Sequence, residues 1–259
     1  MRSIWSGSIG FGLVNIPVKL FSAIQDSRLE LDMLDGKTHS PIRYKRVSEK
    51  SGKEVPWEQI KKGFLYKDEY VILEPSDFEA ASPKKTKMIE IEAFVDEQEI
   101  DDIYFENPYF IEAGKGGEKA YMLLFKALEK TKKVGLSRFV MRSQEHLSVI
   151  RPKDNYLLLQ QLRFEEELRA PEIKVPEGVK ISPKELTMAL ELIKQYSAPF
   201  DMTQYEDEYK KELMKIIKSK ATGKKIPVKK MEVVYTQKDD LFDQLKASLG
   251  KPAAKKRAS

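Results

Sequence analysis

Apolar and polar positions alternate through the opening stretch of the chain, which is the pattern of a β-strand. Alternation places the apolar residues of Ile9–Leu13 on one face of a strand and those of Val14–Leu20 on the other. Because the face changes around Asn15, we expect one strand with a bulge or bend at this point. Pro17 cannot donate to a sheet, which fits such an irregular strand. A bulged strand that buries each face in turn suits the corner of a barrel.

The same alternation continues in later segments, which short polar turns separate. It predicts a strand near Met88–Val95 and an antiparallel meander at Phe139–Arg142, His146–Arg151 and Tyr156–Phe164. One segment, from about residue 118 to residue 132, has the helical period instead. Its buried stripe is Tyr121, Leu124, Phe125 and Leu128. Many short strands with one helix predict a β-barrel or sandwich core.

Helical periodicity dominates from about residue 181 to residue 222. Ser182, Pro183 and Glu185 predict a helix start, with serine as N-cap and glutamate closing a capping box. The apolar stripe that follows is Leu186, Ala189, Leu190 and Ile193. Thr203 and Glu206 predict the cap of a second helix, whose stripe is Tyr205, Tyr209, Leu213, Ile216 and Ile217. Two such helices need an apolar surface, either that of their own barrel or a partner's.

Lysine dominates residues 223–259, which we interpret as a basic linker, a short helix and a flexible tail. Asp239 or Asp240 caps the expected helix. One side of that helix carries Leu241, Leu245, Lys246 and Leu249. A short helix between linkers is marginally stable in water, so we expect it to form against a partner. Packing on its own core is the alternative.

The formal net charge is only +5, but its distribution is uneven. Residues 210–259 contain 15 Lys and Arg against 5 Asp and Glu, and residues 37–62 contain 8 against 3. Two basic regions therefore lie on an otherwise acidic chain. Basic regions attract phosphate backbones, although charged runs are also common on ordinary solvated faces.

The residue inventory argues against a His/Cys metal site, a P-loop nucleotide site and a nuclease site built from neighbouring acidic residues. The chain has no cysteine and only two histidines, His39 and His146, so no His/Cys metal site is expected. Residues 115–118 lack the P-loop pattern, and neighbouring acidic residues such as Asp101-Asp102 point to opposite faces of a strand. We therefore expect no catalytic residue, no metal and no cofactor. Glycines interrupt the apolar N-terminal run, which predicts a cytoplasmic protein without a signal peptide or membrane span.

Seven blocks of the sequence resemble the bacterial Ku family, which binds DNA ends in non-homologous end joining. The first block runs from Trp5 to Leu20, and the others follow in the family's order. They are 41–45 (PIRYK), 60–64 (IKKGF), 99–105 with 108–110 (EIDDIYF, PYF), 119–121 (KAY), 145–152 (EHLSVIRP) and 205–209 (YEDEY). One short block is weak support, whereas seven in register carry the resemblance.

The resemblance implies a mixed α and β fold and a ring-shaped homodimer. Residues 1–175 would form a β-barrel core with an inserted, DNA-encircling bridge at about 37–70. A helical dimerisation arm at 176–222 and the basic segment at 223–259 would follow. Members of the family are binding proteins rather than enzymes, and the region after the core recruits an ATP-dependent DNA ligase, ligase D. At Ser48-x-x-Ser51 the chain departs from the Cys-x-x-Cys of many members, which excludes a zinc or redox role at this loop.

The expected partners are double-stranded DNA ends, a second copy of the chain and ligase D, without a membrane. DNA contacts are expected from Arg43, Lys45, Arg46, Lys53, Lys61 and Lys62, of which Arg46 and Lys53 rest on charge alone. The C-terminal leucine segment resembles the family's own. The expected ligase contacts are therefore Leu241, Leu245, Lys246 and Leu249. Two alternatives are a metal-dependent nuclease or lyase, and a general binder of nucleic acid, including RNA.

Overall fold

The computed structural model describes residues 1–81, 87–223, 245–246 and 248–249, and the chain divides into two units, Met1–Pro171 and Glu172–Ser259. The strands are β1 (Trp5–Phe11), β2 (Val14–Ser22), β3 (Lys62–Tyr66), β4 (Glu69–Leu73), β5 (Met88–Asp96), β6 (Phe105–Ala113), β7 (Lys133–Met141), β8 (Gln144–Lys153) and β9 (Tyr156–Leu162). The helices are α1 (Pro75–Ala81), α2 (Glu118–Thr131), α3 (Pro183–Tyr196) and α4 (Glu208–Ala221).

Seven strands of the first unit close into a barrel in the order β1, β2, β6, β9, β8, β7 and β5. Neighbouring strands are antiparallel except β1 and β5, whose parallel pairing closes the barrel. Closure pairs each strand on both sides and leaves no exposed edge. The expected meander is β7, β8 and β9, and the barrel confirms the mixed α and β fold.

The core fills the barrel and continues under α2. The helix contributes the stripe expected from the sequence, Tyr121, Leu124, Phe125 and Leu128. The barrel contributes fully buried residues that include Ile9, Ile16, Leu20, Ile89, Phe139, Ile150, Leu157 and Leu159. The hydroxyl of Tyr121 donates to the Ile111 carbonyl at 2.9 Å and accepts from the Leu157 amide at 2.7 Å. Its polar end is therefore satisfied inside the core.

The opening stretch is a hairpin, so the expectation of one bulged strand is wrong. β1 and β2 run antiparallel and join through a tight turn at Gly12. Gly12 has a φ of +55°, which glycine adopts without a steric penalty. Because the chain reverses there, Ile9 pairs with Ile16, and both are buried. The register of this barrel does shift elsewhere, in β5 between Ile91 and Ala93 and in β6 between Phe105 and Pro108.

Residues 24–81, between β2 and β5, form a segment outside the barrel that we call the insertion. It contains the β3–β4 hairpin, α1 and two smaller turns, closed by the pairs Leu34–Pro41 and Val47–Glu54. The structure describes every residue of the insertion, and none of them is buried. An isolated two-stranded hairpin is only marginally stable in water. The insertion therefore has no hydrophobic core of its own.

The second unit contains α3 and α4. Ser182 caps α3 as expected, because its hydroxyl accepts from the Glu185 amide at 3.2 Å and the Glu185 carboxylate accepts from the Ser182 amide at 2.7 Å. The expected cap of α4 is wrong, because Thr203 lies in a separate 3-10 turn, Met202–Gln204. Asp207 caps α4 instead and accepts from an amide of its first turn at 2.9 Å. Within the described ranges, no helix is long and apolar enough to cross a membrane.

Candidate nucleic-acid interface

A tight turn at the centre of the insertion presents three of the predicted DNA contacts, Lys45, Arg46 and Lys53. The Val55 amide donates to the Arg46 carbonyl at 2.8 Å. The Ser48 amide donates to the Lys53 carbonyl at 2.9 Å. Because these backbone bonds join the two sides of the turn, the three cations project from one small, locally ordered segment.

Two cations of this central turn already have partners. The Lys45 Nζ lies 2.6 Å from the Glu54 Oε2, and both side chains are more than half exposed. The Arg46 guanidinium lies over the Trp57 indole, 4.6 Å from the ring centroid. Because exposed ion pairs add little stability, a phosphate can replace Glu54 beside Lys45 at small cost. Arg46 has no carboxylate to displace among the described residues.

Lys61 and Lys62 lie where the insertion enters its hairpin. The Lys61 Nζ lies 3.0 Å from the Glu74 Oε2, which follows β4. The Lys62 Nζ lies over the Phe78 ring of α1, 4.9 Å from its centroid. The two lysines therefore connect the hairpin to the short helix after it, and Lys61 is partly neutralised in the free protein.

A cleft of about 1080 Å³ between the insertion and the barrel contains two further cations, Lys87 and Arg142. Sequence reasoning missed them, because each is isolated along the chain and neither belongs to a basic run. Lys87 precedes β5, and Arg142 lies in the turn between β7 and β8 with a φ of +53°. The same cleft includes Lys61, Lys62 and the acidic residues Glu58, Glu74 and Glu79. The acidic residues limit its positive potential.

Arg43 and Lys53 are exposed and have no ion-pair partner in the part of the chain that the structure describes. They lie within residues 37–67, where nine basic residues against three acidic ones give a net charge of +6. The flanks are acidic: residues 24–36 carry one basic and four acidic residues, and residues 68–81 carry five acidic residues and no basic one. Within the insertion, the net charge is therefore positive only in the middle segment and negative on both flanks.

Hydrogen bonds of a carboxylate close the other small turn of the insertion. Asp35 accepts from the Thr38 hydroxyl at 2.6 Å and from the Lys37 amide at 3.0 Å. These two bonds, of which the one from the Thr38 hydroxyl contributes more, hold the pKa of the Asp35 carboxyl below its usual value.

Among the described residues, no three His, Asp or Glu side chains are grouped so that they could hold a metal ion.

In the second unit, one face of α3 exposes large apolar side chains to solvent. They are Leu186, Leu190 and Ile193, which are 53%, 57% and 64% exposed.

The structure describes three of the four predicted ligase contacts. Leu245 and Leu249 lie in helical residues and are half-buried, and Lys246 is exposed. Leu241 lies outside the described residues.

The profile of the Ku family, described as the Ku70/Ku80 beta-barrel domain, matches residues 10–188. Relatives named "Non-homologous end joining protein Ku" match over most of their length. The protein from Coxiella burnetii is 38% identical over 100% of this chain and 98% of the relative. The protein from Archaeoglobus fulgidus is 43% identical over 96% and 98%. The protein from Bacillus subtilis is 37% identical over 88% and 75%. With a closed barrel, a basic insertion and these matches, the chain belongs to the Ku family.

Proposed function

We propose that this chain binds the ends of double-stranded DNA, independently of sequence, as a ring-shaped homodimer in non-homologous end joining. The observation that carries the proposal is the middle of the insertion, residues 37–67, with its net charge of +6 and no buried residue. Exposed cations contact phosphates, which every DNA sequence presents alike. The name of the relatives, Non-homologous end joining protein Ku, supports the pathway.

In this proposal the phosphate contacts come from Arg43, Lys45, Arg46, Lys53, Lys61 and Lys62. Arg43 and Lys53 need not give up any ion pair described above, whereas Lys45 and Lys61 exchange a carboxylate for a phosphate. A ring formed by two subunits admits a duplex only at an end. End preference then follows from topology and needs no base-specific contact. The proposed activity is binding, with no catalytic step.

The proposed dimer is held by the helical arm, residues 176–222. The apolar face of α3 supports this, because three large aliphatic side chains more than half exposed on one helix are suited to a partner surface. Ending the chain near Pro176 should give a monomer or an insoluble product by light scattering. A stable, soluble dimer of that truncated chain would contradict the role of the arm.

The proposed partner after the core is the ATP-dependent DNA ligase D, contacted through Leu241, Leu245, Lys246 and Leu249. Leucines every four residues form one face of a helix, which suits a groove on a partner. The double substitution Leu245→Ala and Leu249→Ala should abolish stimulated end ligation and spare DNA binding. Removal of residues 251–259 is the matched control and should spare ligation. Unchanged stimulation by the double variant would contradict this assignment.

A mobility-shift experiment with one sequence as a linear duplex and as a closed circle tests the end-binding proposal. We expect a shift of the linear duplex and little shift of the circle. Equal affinity for both forms would contradict end binding. Intact end-labelled duplex after incubation with magnesium or manganese is expected for a binding protein, whereas cleavage would favour a nuclease.

A further inference from the structure

Aromatic side chains have different neighbours in the barrel and in the insertion. In the barrel they pack edge to face on each other, as in the pairs Trp5–Phe139 and Phe110–Tyr156. In the insertion, three aromatic rings have a cation over them instead. The closest of them joins Arg46 to Trp57, whose side chain is 67% exposed. An indole so exposed, with a guanidinium over it, has surface left for a further ligand.

Local structure fixes the relative positions of Arg46 and Trp57. The bond between the Val55 amide and the Arg46 carbonyl joins the two sides of the central turn just before the indole. Trp57 then starts a 3-10 turn, and its carbonyl accepts from the Ile60 amide at 3.1 Å. Pro56 precedes this turn with extended backbone, which restricts the approach of the chain. The ring and the cation are therefore placed by backbone bonds and not only by their own contact.

We propose that Trp57, with Arg46 beside it, stacks on an unpaired nucleobase of a single-stranded tail at a DNA end. Every base has a flat π-face, so stacking on an aromatic side chain is tolerant of sequence. Arg46 and the free cations Arg43 and Lys53 supply the attraction for the tail's phosphates. This inference rests on the proposed function, because it adds a base contact to the same insertion.

A protein partner is the other class of ligand that an exposed tryptophan beside an arginine fits. The charge of the surrounding segment favours nucleic acid, because residues 37–67 carry nine basic residues and three acidic ones. A nucleic acid carries negative charge along its whole length and so complements the positive charge of this whole segment. The test therefore includes a measurement of the oligomeric state.

The test compares three DNA probes that share one duplex sequence: a blunt duplex, a duplex with a short thymidine tail, and a duplex with an abasic tail of the same length. The two tails carry the same charge, and only one carries bases. We expect the thymidine tail to raise affinity about tenfold over the blunt end, in line with one stacked base. The abasic tail should give a much smaller gain. Tryptophan fluorescence should be quenched by the thymidine tail only.

Trp57→Leu should remove the gain from the thymidine tail and keep the affinity for the blunt duplex. Trp57→Phe keeps an aromatic ring, so part of the gain in affinity should return. The fluorescence quenching should disappear, because the remaining tryptophan, Trp5, lies in β1 and not in the insertion. Tyr70→Leu is the matched control, because Tyr70 is 74% exposed in the same insertion without a cation over its ring among the described residues, and it should keep the gain.

Three results would overturn the inference while leaving end binding intact: an equal gain from both tails, a full gain in Trp57→Leu, or a change of oligomeric state in Trp57→Leu without loss of the gain. The last result would assign Trp57 to a protein interface. Failure of the native protein to bind any of the three probes would instead contradict the proposed function itself. The blunt-duplex affinity of each variant reports whether that variant is folded.

Discussion

The barrel and the insertion belong to one unit but are stabilised in different ways. The barrel surrounds a core of fully buried aliphatic and aromatic residues, and closure pairs all seven of its strands. The insertion has no buried residue, and its turns depend on short-range backbone bonds and exposed ion pairs. The barrel is therefore stable by burial, whereas the insertion is free to change its side-chain contacts when a ligand replaces them.

Matched leucine substitutions should show this difference most strongly. Leu159→Ala opens a cavity in the barrel, where Leu159 is 0% exposed, and should lower the free energy of unfolding by about 2–5 kcal/mol. Leu65→Ala in β3, where the side chain is 53% exposed, should change it by about 0.5 kcal/mol or less. Chemical denaturation measures both. A similar loss for the two variants would mean that the insertion is packed in solution.

Removal of the Tyr121 hydroxyl should have the next largest effect. This hydroxyl bonds to Ile111 and to Leu157, which pair at the end of the β6–β9 ladder. Tyr121→Phe leaves the Leu157 amide without its acceptor inside the core and should cost about 1–3 kcal/mol of unfolding free energy. Tyr156→Phe is the control, because no hydrogen bond of its hydroxyl is found among the described residues, and it should be nearly neutral. Equal melting temperatures of the two variants would contradict the structural role of Tyr121.

The free cations of the insertion should affect DNA binding and not stability. Arg43→Gln with Lys53→Gln should weaken binding to all duplex sequences alike and reduce the slope of log K against log salt by about 0.9 for each lost phosphate contact. Lys126→Gln with Lys130→Gln on α2 is the control and should leave the slope unchanged. Fluorescence anisotropy at several salt concentrations gives the slopes. A loss that depends on sequence would indicate base readout instead.

The smallest effect is expected from pH, and the two regions should respond at opposite ends of the scale. The Asp35 pKa is lowered by the Thr38 hydroxyl and the Lys37 amide, so the charged carboxylate favours the folded turn. That contribution is present above the ordinary value of about 3.9 and is lost as the pH falls through the lowered pKa. Burial raises the Tyr121 pKa, so its contribution to the barrel is present below about 10 and is lost as the pH rises.

Residue-resolved NMR titration checks this order. Amides of residues 36–40 should shift in acid at a pH below the ordinary aspartate pKa, because the Asp35 pKa is lowered, and Asp35→Asn should remove that transition. Barrel amides near Tyr121 should shift only in alkali. Unfolding of the barrel at the same pH at which these insertion amides shift would contradict a separately stabilised insertion.

Features that depend on neighbours along the chain were the most predictable. The apolar stripe of α2 follows from the helical period, because apolar side chains at this spacing lie on one face of the helix and that face is buried. The cap at Ser182 needs only Glu185 three residues later. The hairpin at Gly12 was missed because a two-residue turn and a bulge change the apolar pattern in the same way. Asp207 was missed because Thr203 and Glu206 offered an equally good capping pattern slightly earlier.

The candidate site was only partly predictable, for a different reason. Charge along the chain identified the basic middle of the insertion, but not which cations are paired, because Lys61 meets Glu74 across a hairpin. Lys87 and Arg142 come close to that segment only through the barrel's topology. Trp57 gave one usable signal, a large aromatic residue directly after proline in a charged segment. The DNA contacts, the dimer and the ligase contact remain predictions.

The most direct test of the ring is to load the protein on a linear duplex, join the two DNA ends into a circle, and then raise the salt concentration. Phosphate contacts weaken in high salt on either form of DNA, but a closed ring cannot leave a closed circle. We predict that the protein stays on the circle in high salt and is released when the circle is cut. Equally fast release from the circle and from the linear duplex would contradict the account.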